Sequence, residues 1–151
     1  MIKMLFVCHG NICRSVAAEF ICKQLIKEQK LENEFYIDSC ATSLEEIGNP
    51  IYPPMKKVLE KHHILLEKHY ARQITKEDYN NFDYIFIMDN NNMRNIKHLL
   101  GEDINHKIYL IKDFVGKNGY IEDPWYTGNY ELVFNDLYDC IQRIIEKLRC
   151  E

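Results

Sequence analysis

The run Tyr84-Ile85-Phe86-Ile87-Met88 admits few folds. A strand with one wet face alternates polar and apolar residues, so an almost unbroken apolar run marks a strand covered on both faces. Met4-Leu5-Phe6-Val7, within a strand read over Lys3 to Cys8, has the same character. A sheet hidden on both sides needs a helical layer on each. Helical periodicity runs from Ser15 to about Gln29, where Ala17, Ile21 and Leu25 fall four apart and Phe20 fills the same face. Pro53-Pro54 suit the start of a short helix through Met55, Val58, Leu59 and His62. Thr75, followed by Glu77 and Asp78, reads as another capped start. Asn90 to Leu100 reads as a helix closed by Gly101, with the asparagine run Asn90-Asn91-Asn92 as its cap region. The last helix spans Tyr130 to about Leu148 and carries Val133, Leu137, Cys140, Ile141, Ile144 and Leu148 on one face. Further strands are expected at Phe35–Ala41 and Lys107–Ile111, whereas the glycine-containing segment Lys112–Asn129 reads as loop. The pattern predicts the α/β class: a single-domain open parallel sheet of about four strands with helices on both faces.

The length of 151 residues fits one domain, residues 1–151. A net charge of −4 gives no general attraction for nucleic acid. No apolar run approaches the roughly 18 residues of a membrane span. The start Met1-Ile2-Lys3 leads straight into a strand without a secretory pattern. A cytoplasmic monomer with neither nucleic-acid nor membrane partners is expected. Six cysteines, Cys8, Cys13, Cys22, Cys40, Cys140 and Cys150, form no C-x-x-C pair or zinc spacing, and His62, His63 and His69 match no ligand interval. The expectation is no metal, no cofactor and no structural disulfide.

Between the first strand and the first helix lies Cys8-His9-Gly10-Asn11-Ile12-Cys13-Arg14-Ser15. A Gly/Asn loop in that setting turns backbone N–H groups inward at the positive end of a helix and can hold a doubly charged oxyanion. Asn11 tolerates the left-handed conformation that a cupped loop requires. A thiol at Cys8 would face those donors and ionise readily, and Arg14 can grip two phosphate oxygens at once. In open α/β sheets such a loop, after the carboxyl end of a strand, is where ligands sit. Ser15 can cap the helix or donate its hydroxyl to the thiolate; the two roles are compatible.

This C-x5-R-S loop resembles the active-site loop of the low-molecular-weight protein tyrosine phosphatases. Ser39-Cys40-Ala41-Thr42-Ser43, Ala71-Arg72-Gln73-Ile74-Thr75-Lys76-Glu77-Asp78, Phe82-Asp83-Tyr84-Ile85 and Asp123-Pro124-Trp125-Tyr126 are similar to that family's later motifs, in order. The resemblance implies hydrolysis of phosphotyrosine and aryl phosphate monoesters through a phosphocysteine, without metal. Tyrosine-phosphorylated proteins would be substrates and inorganic phosphate the product. Cys8 would be the nucleophile, Arg14 and the loop residues His9, Gly10, Asn11, Ile12 and Cys13 the oxyanion cradle, and Ser15 the thiolate's donor. Asp123 would be the general acid, with Trp125 and Tyr126 flanking the ring. Asn11, Ser39 and His69 would support the loop, and Cys8 and Cys13 would form a reversible protective disulfide. Val16 departs from the family's usual proline, and Glu45 stands where many relatives carry an aromatic wall, which implies a preference for neutral or basic residues beside the phosphotyrosine. Two other readings start from the same loop. An arsenate reductase would need a further thiol pair, and Ile51 to Asn129 holds no cysteine. A non-catalytic phosphotyrosine-binding module would need only the cradle.

Overall fold

A computed structural model describes residues 1–150; Glu151, the last residue of the expected domain, lies outside them. Four strands, β1 (Ile2–Cys8), β2 (Phe35–Ala41), β3 (Tyr84–Ile87) and β4 (Ile108–Leu110), form one sheet in the order β2-β1-β3-β4. Every pairing is parallel, with Phe6 opposite Ser39 on one side and Phe86 on the other.

Side chains of β1 alternate between two cores, as a period of two requires. Met4, Phe6 and Cys8 join the larger cluster with residues of α1 (Arg14–Glu28), α2 (Pro53–Lys61), α5 (Ile111–Phe114) and α7 (Tyr130–Arg149). Leu5 and Val7 face the smaller one with Ile85, Ile87 and Ile96, beneath α3 (Lys76–Asn81) and α4 (Asn90–Leu100). The expected two-sided cover is therefore present, and both apolar runs are buried throughout their strands except at the half-buried Tyr84.

Several expected boundaries move. Met88 leaves β3 because its N–H donates to Asn92 Oδ1, inside the cap of α4. That cap is Asp89, paired with Asn92 in a reciprocal capping box, so Asn90, Asn91 and Asn92 are helical residues and not the cap. β4 ends at Leu110 because Ile111 already opens α5. Its entry is fixed by Asp103, whose carboxylate accepts the N–H groups of Lys107 and Ile108. The segment read as loop from Lys112 to Asn129 holds most of α5 and a one-turn helix, α6 (Pro124–Thr127). Asp123 starts α6 by accepting from the Trp125 N–H, and Gly128 ends it at φ 73°. Thr75 caps α3 as expected, in a capping box with Asp78.

Candidate active site

Three adjacent strands deliver their carboxyl ends to one place. Cys8 ends β1 and lies 3% exposed at the base of a cleft of about 440 Å³. The loop that follows is held by its carbonyls. Cys8 O accepts from Thr42 N–H, His9 O from Ser43 N–H and Ile12 O from Tyr52 N–H, while Cys13 O accepts from Ala17 N–H. Asn11 O accepts from His69 Nε2 at 2.6 Å. No cis peptide occurs among the described residues. In a planar trans peptide the carbonyl and the following N–H point opposite ways. Five carbonyls turned outward therefore turn the N–H groups of His9, Gly10, Ile12, Cys13 and Arg14 inward, and none of the five has an acceptor among the described residues. Asn11 makes the turn at φ 59°.

Arg14 is the first residue of α1, one position earlier than the sequence pattern suggests, and it is 3% exposed. Its NH1 donates to Asp89 Oδ2 at 2.7 Å and to Ile121 O at 2.9 Å. NH2 lies 3.7 Å from Asp123 Oδ2, and neither NH2 nor Nε makes a hydrogen bond among the described residues. A two-pronged donor edge is thus left for an anion. Burial works against the guanidinium charge, but Cys8 and the hydrogen-bonded Asp89 outweigh it and raise its hold on the proton.

Ser15 does not cap α1: the N-cap position is Cys13, and no side chain caps the helix. The Ser15 hydroxyl turns under the loop, 3.1 Å from Cys8 Sγ, and the Ser15 N–H donates to the same sulfur at 3.4 Å. The Asn11 side chain is fully buried beneath the loop and is not part of the cleft lining. Its Nδ2 donates to Ser15 Oγ at 2.8 Å and Ser39 Oγ at 3.0 Å, and its Oδ1 accepts from Arg72 N–H. His9, Gly10, Ile12, Cys13, Glu45, Asp123, Trp125 and Tyr126 all line the cleft. His9 Nε2 and Glu45 Oε2 meet across the rim at 2.9 Å. Cys8 and Cys13 are free thiols; burial first, then the adjacent Cys8, pushes the Cys13 thiol far up.

Sequence reasoning missed four participants. Tyr52 and Tyr130 complete an aromatic wall, with Tyr52 5.3 Å from the Trp125 ring and 6.3 Å from the Tyr130 ring. Glu46 adds a second carboxylate to the rim. Asp89 anchors Arg14. An acid directly after a buried strand and before a helix was the available signal for Asp89, and the asparagines beside it drew the cap assignment away. No group of three or more His, Cys, Asp or Glu side chains able to hold a metal occurs among the described residues.

A buried thiol, an N–H cradle, an arginine with a free edge, a carboxylate at the mouth and an aromatic slot define a cysteine-based site for an aryl-linked oxyanion. Residues 3–151 match the family model described as low molecular weight phosphotyrosine protein phosphatase. The chicken (Gallus gallus) protein of that name is 42% identical over 150 residues, covering 96% of this chain and 94% of its own length. The human protein of that name is 38% identical with the same coverage. Among solved structures, YfkJ from Bacillus subtilis superposes with a TM-score of 0.93 at 32% identity, covering 99% of this chain and 95% of that one. A low molecular weight protein tyrosine phosphatase from Streptococcus pyogenes gives 0.88 at 36% identity, covering 98% of this chain and 93% of that one. The chain belongs to the low molecular weight phosphotyrosine protein phosphatase family.

Proposed function

We propose that this chain hydrolyses phosphotyrosine monoesters in proteins. The observation that carries the reading is the convergence of five inward N–H groups, Cys8 Sγ and the free edge of Arg14 on one aromatic-walled cleft. The Cys8 thiolate attacks phosphorus in line, and the bond to the tyrosyl oxygen breaks as Asp123 gives that oxygen its proton. Charge on the three non-bridging oxygens is taken by the loop N–H groups and Arg14. Water then attacks the phosphocysteine, Asp123 takes its proton, and the S–P bond breaks to release inorganic phosphate and the thiolate. The Ser15 hydroxyl donates to sulfur at both ends of the cycle. Arsenate reduction would need a chain of further thiols, and Cys13 alone joins Cys8 in the cleft lining.

Glu45 and Glu46 give the rim a carboxylate edge, so phosphotyrosines with neutral or basic neighbours are the favoured substrates. A reversible Cys8–Cys13 disulfide guards the nucleophile under oxidation, to be read by peptide mapping after peroxide. The working state is a cytoplasmic monomer. No helix among the described residues is long and apolar enough to cross a membrane.

Hydrolysis of an aryl phosphate by wild type, Cys8→Ser and Asp123→Ala, with chelator present, tests the mechanism. Wild type turns over, Cys8→Ser is inactive, and Asp123→Ala slows by about 10²–10⁴-fold. Retained turnover in Cys8→Ser, or loss of wild-type activity to chelator, overturns it.

A further inference from the structure

Beneath the loop lies a carboxylate that the mechanism above does not use. Glu19, on α1, is 6% exposed; its Oε1 accepts from Ser39 Oγ at 2.6 Å and its Oε2 from Lys23 Nζ at 2.7 Å. Ser39 and Ser15 meet the two hydrogens of one Asn11 amide. A single chain of hydrogen bonds therefore runs from Glu19 through Ser39, Asn11 and Ser15 to Cys8 Sγ.

Its proton order is dictated from both ends. A carboxylate can only accept, so the Ser39 O–H donates to Glu19, and Ser39 Oγ must present a lone pair to Asn11. The Arg72 backbone N–H can only donate, so Asn11 turns Oδ1 toward it and Nδ2 toward both serines. Ser15 Oγ then accepts from Asn11, and its own hydrogen is left for the sulfur, which without its proton can only accept. Lys23 keeps the carboxylate in place. Burial alone would depress the Lys23 ammonium, but hydrogen bonds to Glu19 and Glu67 outweigh it and raise its hold on the proton.

We infer that Glu19 is a positioning residue for the reaction: it sets the polarity of the Ser39–Asn11–Ser15 relay so that the Ser15 hydroxyl is committed to the Cys8 thiolate. This rests on the phosphatase reading for its purpose, though not for its test. In Glu19→Gln one oxygen must serve two donors. The charged Lys23 takes it, and the amide nitrogen falls to Ser39. Ser39 loses its fixed acceptor and is free to point its hydrogen at Asn11; the two facing donors then oppose the hold of Arg72 N–H on Oδ1, and the Asn11 amide turns over in part of the molecules. The Ser15 hydroxyl is drawn to Asn11 Oδ1 and away from sulfur.

The test is alkylation of Cys8 by iodoacetamide, read at Cys8 by peptide mass across pH, beside turnover of an aryl phosphate. Arg14, Cys13 and Cys40 act electrostatically on Cys8, Asp123 lines the same cleft, and all four are unchanged in every variant. In Glu19→Gln the alkylation profile moves to higher pH, with about tenfold slower reaction at its acidic end, the worth of one hydrogen bond to a charged group. The ratio kcat/KM falls by a similar factor, mostly in kcat. Two combinations separate polarity from general damage. In a Ser15→Ala background Glu19→Gln causes no further shift, because its effect travels through Ser15. Adding Lys23→Met to Glu19→Gln removes the competing donor, frees the glutamine oxygen for Ser39 and restores the profile. An unchanged profile in folded Glu19→Gln, an additive effect with Ser15→Ala, or no recovery with Lys23→Met overturns the inference. If Glu19→Gln does not fold, Ser39→Ala carries the test. That variant cuts Glu19 off from Asn11, so the profile moves to higher pH as in Glu19→Gln, with no further shift in a Ser15→Ala background, whereas a wild-type profile refutes the relay. Alkylation needs no phosphatase activity, so a wild type that fails to hydrolyse aryl phosphate sinks the functional reading without touching this result.

Discussion

Replacing Asp89 separates two jobs done by one carboxylate. Its Oδ1 caps α4 by accepting from Asn92 N–H at 3.0 Å, and its Oδ2 pairs with Arg14 NH1 at 2.7 Å. In Asp89→Ala the lost cap costs about 1 kcal/mol. Breaking a fully buried ion pair costs about 3–5 kcal/mol. Arg14's side chain is 4% exposed but that of Asp89 is 20% exposed, so about 2–3 kcal/mol is the share expected here. The sum is about 3–4 kcal/mol, or roughly a 10 °C fall in Tm for a chain of this size. Asp89→Asn keeps the cap, since asparagine caps as well as aspartate, and offers Arg14 a neutral acceptor. It should lose only about 1–2 kcal/mol, or roughly 4 °C. Circular-dichroism melts of the three proteins, with and without inorganic phosphate, are the assay. Phosphate should stabilise Asp89→Asn more than wild type, because the bound anion replaces the missing counter-charge on Arg14. Equal melting of the two variants, or both within about 0.5 kcal/mol of wild type, would refute the reasoning.

Three further outcomes are expected. Burial opposes the Asp78 charge, but the two-pronged grip of Arg72 and the Thr75 cap more than reverse it and hold the carboxyl below its usual range. A depressed folded value adds stability above the unfolded pKa of about 4 and loses it as pH falls. Asp78→Asn should therefore have a lower urea midpoint than wild type at neutral pH, with the gap narrowing below about pH 4; a gap independent of pH would count against this. Glu45→Lys should raise kcat/KM for phosphopeptides with acidic flanks relative to basic ones, and an unchanged ratio would remove the rim from any role in specificity. Trp125→Ala should raise KM for an aryl phosphate by about tenfold, the scale of one aromatic contact, and an unchanged KM would mean that this ring does not hold the substrate.

The sheet was legible because burial on both faces leaves no room for alternation in Leu5 to Val7 or Ile85 to Ile87. The loop was legible because its residues lie consecutively, so the spacing from Cys8 to Arg14 is local. Asp89, Tyr52 and Tyr130 were not legible for the opposite reason. Tyr52 and Tyr130 reach the cleft and Asp89 reaches Arg14, each from a different element, and locally they read as helix-start aromatics and a strand-to-helix cap. Ser15 has two compatible uses in the sequence, a helix cap or a donor to the thiolate, because serine at a helix start serves either. Only the tertiary placement of Asn11 and Cys8 shows that its hydroxyl takes the second. The helical turns within Lys112–Asn129 were hidden by their glycines, which mark the ends of short helices as readily as open loop.

The strand bearing Cys8 lies between β2 and β3 and is made first. As the chain leaves the ribosome, β1 gains one neighbour only once Ala41 has emerged, and the other only after Ile87. Throughout that interval an apolar strand carries at least one open edge, the state most exposed to pairing with other chains. The groups that fix the Arg14 side chain come later still, from Asp89 on to Ile121 and Asp123. A nascent or truncated chain ending before these residues would hold the complete C-x5-R-S motif without a working cradle. Recovery of activity during refolding should then keep pace with closure of the sheet instead of with formation of the first helix, so turnover itself becomes a clock for the final folding step.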